Sequence, residues 1–158
     1  KCTLDDLIYR YGEVLLNYAE AKAELGECDQ AVLDKTINKL RDRVGMKHLT
    51  TDVGFTDPNW PAWEVPISPL LNEIRRERRV ELACEGLRWN DLCRWKAGKL
   101  LENIKTYLGP RDPATGEYRV VYPGMTRTWY DRLYLYPIPT DEFTYNPNLL
   151  PQNPGWAN

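Results

Sequence analysis

Histidine is almost absent from this chain: His48 is the only one among 158 residues. The four cysteines (Cys2, Cys28, Cys84 and Cys93) include no CxxC pair. Structural zinc sites use closely spaced cysteine and histidine ligands, so the common zinc motifs are excluded. A glycine-rich phosphate loop and a nucleophile elbow are missing too. The sequence therefore predicts no metal site, no cofactor and no catalytic residues.

A strong net charge and a long apolar run are also lacking. The formal net charge is −2, and the contents of 42% hydrophobic and 28% charged residues are ordinary for a globular protein. Nucleic-acid binding requires unneutralised cations, so no nucleic-acid partner is expected. No transmembrane run, signal peptide or lipobox is recognisable. The length suffices for one domain with a core.

The cysteines are predicted to be free, buried thiols. Cys84 and Cys93 lie nine residues apart. That spacing corresponds to about 13 Å along a straight helix, which is beyond the reach of a disulfide bond.

The most informative segment covers residues 73–95, EIRRERRVELACEGLRWNDLCRW. Ser68 followed by Pro69 predicts a helix start just before it. Gly86 is expected to end or bend this helix. A shorter helix, from about Arg88 to Lys96, is predicted to follow.

Acids and arginines alternate through this segment at three-residue steps, as in Glu73 with Arg76 and Asp91 with Arg94. Such pairs meet on a helix surface. A phosphate-binding arginine cluster is disfavoured because the acids nearly cancel its charge. We instead predict a partly buried ion-pair network that joins helices. Its predicted members are Glu77, Arg78, Arg79, Glu81, Glu85, Arg88, Asp91 and Arg94.

An αα-hairpin is predicted over residues 1–45. Apolar residues at steps of three and four indicate a helix over residues 4–25 that ends at Gly26. Asp29 is typical of an N-cap for a second helix, which Gly45 ends. The small residues Ala19, Gly26 and Ala31 make this pair similar in part to one tetratricopeptide unit.

Two long irregular regions follow, residues 46–67 and 107–130. Arg119 to Tyr122 predicts a short strand within a β-hairpin, and Thr140 to Phe143 predicts one helical turn. The predicted fold is thus all-α, with long Pro-rich loops and one short β-hairpin.

Three motifs occur in order along the chain. ERRVELACEGLRWNDLCRW fits the string ERR-x-EL-x-x-EG-x-R-x-x-DL-x-RW, and IYRYGEVLLNYAEAKAELG (residues 8–26) fits R-Y-A-E-x-L-L-x-x-A-E-A, with Gly12 in place of the usual Ala. LYPIPTDEFTYNPNLLPQNPGW (residues 135–156) fits PIP-x-x-E…NPN-x-x-QNPG-Y, with Trp156 at the aromatic position. Together they resemble the C-terminal portion of the SusD/RagB family of Bacteroidetes outer-membrane lipoproteins.

This resemblance implies a single C-terminal domain over residues 1–158. Its parts are the helix pair (1–45), the signature helices (68–106) and an irregular wrapping segment (107–158). It also implies non-catalytic capture of a glycan or other nutrient at the outer-membrane surface and delivery to a SusC-like TonB-dependent transporter. The lipid anchor is expected outside this chain.

Loop aromatics are the best candidates for ligand contact. Tryptophan rings stack on the apolar face of a sugar while polar neighbours bind its hydroxyl groups. Trp60 and Trp63, with Asp57 and Asn59, have this composition, although either ring is also suited to pinning the loop to the helices. The second choices are Trp129 and Tyr130.

Two other classes of function stay open. One is a helical-repeat scaffold that binds protein rather than sugar. The other, less favoured, is a glycan-active enzyme, which needs two facing carboxylates. Glu81 with Glu85, or Asp141 with Glu142, fit that requirement by spacing alone. Asp52, Asp57 and Asn59 offer oxygens for calcium but lack the EF-hand order, so a solvated loop is expected there.

Overall fold

The computed structural model describes residues 8–55, 64–102, 108–121 and 123–157. Contacts divide the described chain into two units. The first unit holds residues 8–55 and 66–88, and the second holds the described residues of 64–65 and 89–157. Among the described residues, only the second unit contains strands.

The helices of the first unit are α1 (Tyr11–Glu24), α2 (Gln30–Lys35), α3 (Ile37–Arg43) and α4 (Pro69–Glu81). Helix α1 corresponds to the helix predicted over residues 4–25, of which residues 4–7 lie outside the described residues. It begins at Tyr11, later than predicted, since residues 8–10 are described and are not helical. It ends just before Gly26, whose φ of 72° only glycine adopts readily. This end agrees with the prediction.

The predicted second helix of the hairpin is interrupted. It begins as expected after Asp29, whose side chain accepts a hydrogen bond from the Val32 N–H at 2.8 Å. At Thr36 the backbone leaves the helical region (φ −125°, ψ −92°), and the buried hydroxyl group donates to the Val32 carbonyl at 2.6 Å. This local bond competes with helix continuation. One continuous helix is therefore corrected to two short ones, α2 and α3.

The core of the first unit lies where α1, α3 and α4 meet. Its buried members are Leu15, Leu16, Ala19, Leu33, Ile37, Leu40, Leu49, Ile74 and Leu82. The loop after α3 is fastened to this core by Asn38, whose amide oxygen accepts from the Leu49 N–H at 2.7 Å and whose amide nitrogen donates to the Leu49 carbonyl at 3.1 Å.

Helix α4 begins as the sequence predicts. The Ser68 hydroxyl accepts from the Leu71 N–H at 3.1 Å, and Pro69 is the first helical residue. It ends at Glu81, earlier than Gly86, because the chain turns through Cys84 in the left-handed region (φ 66°). Arg78 lies within its buried stripe.

The second unit is built from short elements. Helix α5 (Arg88–Arg94) contributes to it from Trp89 onward, and α6 spans Thr140–Tyr145. Among the residues described in this unit, 3₁₀ helices lie at Gly98–Glu102, Asp131–Tyr134 and Pro147–Leu149. Leu92, Trp95 and Ala97 form a small buried cluster with Leu100 and Leu101 packed against it.

A short antiparallel hairpin completes this unit. Strand β1 (Leu108–Arg111) pairs with β2 (Tyr118–Val120), and Leu108 lies opposite Val120. Tyr122, the end of the predicted strand, lies outside the described residues. The all-α fold with one short β-hairpin is confirmed.

The side chain of Gln152 connects the end of the C-terminal tail with Ile138 near its start. This buried amide accepts from the Ile138 N–H and donates to the Ile138 carbonyl, both at 2.8 Å. Since both backbone groups of Ile138 are satisfied, the Pro-rich segment is held without regular secondary structure.

The described cysteines are free thiols. Cys28 and Cys93 are partly buried, and burial raises the pKa of both. Cys84 is exposed at the turn after α4, so the prediction of a buried thiol is wrong there. Cys2 lies outside the described residues. None of the described helices has both the length and the apolar content that a membrane crossing requires.

Candidate functional site

A fork of hydrogen bonds from Arg41 joins α3 to α4. Its Nη2 lies 2.8 Å from Glu73 Oε1, its Nε lies 2.9 Å from Glu77 Oε1, and its Nη1 donates to the Lys47 carbonyl at 2.9 Å. Glu73 is only 1% exposed and also accepts two bonds from Arg76. A buried carboxylate is tolerated because guanidinium groups surround it.

A second group of ion pairs joins the start of α1 to the end of α4. Arg10 Nη1 lies 2.6 Å from Glu81 Oε1, and Arg10 Nε lies 2.9 Å from both oxygens of Glu85. Arg43 of α3 also meets Glu81, at 2.7 Å. The hydrogen bond from Arg10 lowers the pKa of Glu85, and Glu85 together with Glu81 raises the pKa of Arg10.

The arginines of α4 also reach α1 directly. The buried Arg75 places Nη2 2.9 Å from Glu24 Oε1 and Nε 3.6 Å from Glu20 Oε1. Arg78 donates to Asn17 Oδ1 at 2.7 Å. Ionic contacts thus connect α4 with both α1 and α3.

Other members of the predicted network lie elsewhere. Arg79 is on the exposed side of α4. In α5, Arg94 Nη2 lies 3.0 Å from the buried Asp91, and its guanidinium group lies 4.7 Å from the Trp95 ring centroid. Arg88, which is half-buried, begins the same helix. Sequence reasoning missed Arg10, Arg41 and Arg43, which lie on other helices, far from their acids along the chain.

The preferred glycan-binding candidates lie outside the described residues: Trp60, Trp63, Asp57 and Asn59. Trp129 is described and is only 9% exposed. Its ring packs 5.7 Å from that of Trp89 and 4.9 Å from that of Tyr134 (centroid distances). A sugar needs an exposed ring face, so this geometry favours a packing role for Trp129 over a binding one.

Tyr130, the remaining candidate, is exposed. The guanidinium group of Arg132 lies 5.5 Å from its ring centroid and 5.0 Å from that of Trp156. The Trp156 indole N–H donates to the Arg132 and Leu135 carbonyls at 3.1 and 2.9 Å. An aromatic–arginine group therefore lies at the surface of the second unit, and the sequence analysis had not assigned it.

Two hydrogen bonds of the Tyr134 hydroxyl group connect Gly98, the first residue of a 3₁₀ helix, with Glu64. The Tyr134 hydroxyl group accepts from the Gly98 N–H at 3.0 Å and donates to Glu64 Oε1 at 3.2 Å. Burial is the largest cause that raises the pKa of Tyr134. Seventy residues separate Tyr134 from Glu64, so no local signal predicts this bond.

The two pairs of carboxylates considered for catalysis lie in different surroundings. Glu81 and Glu85 share Arg10 as a partner. Asp141 and Glu142 are exposed in the first turn of α6. Asp52 Oδ1 accepts from the Gly54 N–H at 3.1 Å within its own loop. Among the described residues, no group of histidine, cysteine and acidic side chains is arranged to hold a metal ion.

Comparisons with known proteins agree with one another. The model of the SusD family matches residues 3–156. SusD-like protein P2 of Formosa agariphila is 32% identical over 154 residues, covering 93% of this chain and 25% of its own length.

Two solved structures are similar to the chain in fold. A SusD-like protein from Bacteroides fragilis NCTC 9343 shares 37% identity, with a TM-score of 0.64 over 94% of this chain and 25% of its own. BT4246 shares 28% identity, with a TM-score of 0.70 over 95% of this chain and 24% of its own. The chain spans about a quarter of the length of these relatives.

Proposed function

Because the chain belongs to the SusD family, we propose that it takes part in binding a glycan or another nutrient, without catalysis, at the outer-membrane surface. The match over residues 3–156 is the observation that carries this proposal. SusD-like proteins with 32% and 37% identity, each matched over more than nine-tenths of the chain, support it.

The arrangement of charge favours binding over chemistry. Arg75 of α4 pairs with Glu20 and Glu24 of α1, and Arg76 pairs with Glu73 within α4. The carboxylates considered as catalytic pairs share one arginine or are solvated at a helix start. A glycosidase needs one carboxylic acid and one carboxylate on opposite sides of a bond. Glu81 and Glu85 instead join the end of α4 to the start of α1 through Arg10.

We propose that ligand contact is made by Trp60 and Trp63, with Asp57 and Asn59 binding hydroxyl groups. Tyr130 is a second proposed stacking residue because it is exposed. In contrast to Trp129, it leaves part of its ring accessible to a sugar.

The test is isothermal titration calorimetry of the chain against a panel of oligosaccharides, with Trp60→Ala and Trp63→Ala. Loss of one stacking ring should weaken binding roughly tenfold, since an aromatic contact contributes on the order of 1 kcal/mol beyond its buried area. Tyr145→Ala is the matched control, because Tyr145 is an aromatic residue that is 81% exposed on α6. Normal binding by both tryptophan variants would refute the site, and absence of binding across the panel would refute glycan binding by this chain.

We also propose a SusC-like TonB-dependent transporter as the partner, with membrane attachment through a lipid anchor outside this chain. Family membership supports this pairing. A tagged protein purified from detergent-solubilised outer membranes of its source should bring a TonB-dependent β-barrel with it in a fixed ratio. Recovery of the tagged protein without any such barrel would contradict the proposal.

A further inference from the structure

The aromatic–arginine group of the second unit (Tyr130, Arg132 and Trp156) places a cation beside two rings at the surface. The guanidinium carbon of Arg132 lies 5.5 Å from the Tyr130 ring centroid and 5.0 Å from that of Trp156. Both distances are within the range over which an aromatic ring attracts a cation. Tyr130 and Arg132 are exposed, and Trp156 is half-buried. The group therefore presents an aromatic surface and a positive charge side by side.

The backbone that carries the group is fixed by the C-terminal tail. The two hydrogen bonds of the Trp156 indole N–H join the tail to the 3₁₀ helix at Asp131–Tyr134 and to the residue after it. Gly155 allows this close approach, because a Cβ atom there would lie 2.8 Å from Arg132 Cβ, and its φ of 81° is readily adopted only by glycine. The Arg132 side chain thus leaves the backbone at a defined place beside the Trp156 ring.

The charge of Arg132 is not neutralised by an acid. Within the described part of the chain, its guanidinium group contacts the two rings and forms no ion pair, not even with the neighbouring Asp131. Arg41 and Arg75 of the first unit differ, since each lies against two glutamates. A ring can hold a guanidinium group in place without using its N–H donors. Those donors are therefore available to an anion that comes from outside.

Resting on the proposed glycan binding, we propose that the aromatic–arginine group binds a sugar that carries a carboxylate or a sulfate group. The exposed ring of Tyr130 stacks on the apolar face of this sugar, and Arg132 donates hydrogen bonds to its acidic group. The planar fork of a guanidinium group matches two oxygens of such an anion in parallel hydrogen bonds. The class of ligand is thereby narrowed from any glycan to an acidic oligosaccharide.

The hydroxyl groups of a neutral sugar also accept hydrogen bonds from Arg132, but more weakly. Hydrogen bonds between two charged groups are stronger than those to a neutral acceptor. A guanidinium group is also weakly hydrated, so it loses little hydration when it binds an anion. Because Arg132 is exposed, water and salt reduce the gain. We therefore expect an acidic sugar to bind about five- to tenfold more tightly than its neutral counterpart.

Isothermal titration calorimetry with matched pairs of oligosaccharides tests the charge preference. One pair is an oligogalacturonate and its methyl ester, and the other is a sulfated oligogalactan and its desulfated form. The acidic member of at least one pair should show the five- to tenfold preference in about 50 mM NaCl, and the ratio should approach one in about 0.5 M NaCl. Comparing the two pairs distinguishes a carboxylate ligand from a sulfate ligand.

Substitutions assign the preference to individual side chains. Arg132→Gln should abolish it while changing the affinity for the neutral members by less than about twofold, since only the charged bond is lost. Tyr130→Ala should weaken both members of a pair by the same factor, because stacking on a ring does not depend on the acidic group. Arg79→Gln, which changes an exposed arginine of α4 in the first unit, is the matched control and should leave the preference unchanged.

The ratio of acidic to neutral affinity is the deciding measurement. If Arg132 only fastens the tail, Arg132→Gln should lower the unfolding midpoint in urea and leave this ratio as it was. Equal binding of both members in each pair, or a preference that persists in Arg132→Gln, would overturn this inference and leave the proposed glycan binding intact. Absence of binding to every member, neutral ones included, would overturn both.

Discussion

At the scale of single residues, Gly98 shows how closely the second unit is packed. A Cβ atom at this position would lie 2.0 to 2.3 Å from three ring carbons of Trp129. The indole of Trp129 is fixed in turn by Trp89 and Tyr134. The absence of a side chain at Gly98 is thus a packing requirement.

Gly98→Ala should lower the free energy of unfolding by about 2–3 kcal/mol, because a buried ring must move to make room. Gly12→Ala is the matched comparison. Its Cβ would meet Arg10 Nη1 at 2.7 Å, so the end of the Arg10 side chain must shift while it keeps its pairs with Glu81 and Glu85, and alanine favours the helix by roughly 0.5–1 kcal/mol. Gly12→Ala should therefore change stability by less than about 1 kcal/mol. Equal losses of unfolding free energy for Gly98→Ala and Gly12→Ala, measured by urea denaturation, would contradict the close packing of Gly98 against Trp129.

At the scale of secondary-structure elements, helices of the first unit are held together by ion pairs as well as by apolar packing. Arg41 satisfies carboxylates of α4 and a loop carbonyl simultaneously. Arg43, two residues later, is 59% exposed at its side chain and pairs with Glu81. Substituting each arginine in turn therefore distinguishes the contribution of a buried ion pair to stability from that of a surface ion pair.

Arg41→Met should destabilise the first unit by about 3–5 kcal/mol, because it leaves Glu73 charged and buried without its Arg41 partner. Arg41→Lys should recover only part of this loss, since an ammonium group cannot form the fork. Arg43→Met should cost about 1 kcal/mol or less. Urea denaturation followed by circular dichroism measures all three. A small loss of stability in Arg41→Met would show that the Glu73 carboxylate has enough hydrogen-bond partners without α3.

Stability should also fall in acid through the contact between Arg10 and the turn after α4. The hydrogen bond from Arg10 lowers the pKa of Glu85 in the folded state. The contribution of this contact to the free energy of unfolding is therefore complete above the unfolded pKa of glutamate, about 4.3. It is lost as the pH falls through the lower pKa of the folded state. Denaturation at about pH 5, 4 and 3 should show a shallower loss for Glu85→Gln than for the unmodified chain. Glu142→Gln, which changes an exposed carboxylate of α6, should keep the original slope.

At the scale of the whole molecule, two spectroscopic probes are weighted towards different units. Helices α1 to α4 lie in the first unit and dominate far-ultraviolet circular dichroism. Four of the six tryptophans (Trp89, Trp95, Trp129 and Trp156) lie in the described part of the second unit, so fluorescence is weighted towards that unit.

Arg41→Met should therefore shift the circular-dichroism transition more than the fluorescence transition, and Gly98→Ala should do the reverse. Comparing both probes in one urea titration of each variant measures this. If both transitions shift equally in both variants, the chain unfolds as a single cooperative unit.

Much of the architecture was predictable because its signals are local. The Ser68–Pro69 start of α4, the Asp29 cap and the Gly26 end each depend on a few neighbouring residues. The break at Thr36 was not predicted, because a threonine hydroxyl group can also bond to the carbonyl four residues earlier without ending a helix. The end of α4 at Glu81 likewise depends on the turn through Cys84.

The sequence by itself determined the family, the all-α class and the alternation of acids with arginines, since each is written in residue order and helical spacing. Only the tertiary structure decided which partners those arginines have. Arg41 and Arg10 come from other helices, and pairing across such distances depends on how the helices pack. The tertiary structure also decided that Trp129 is buried and that Tyr130 is exposed. Burial is a property of packed neighbours, which residue order alone does not specify.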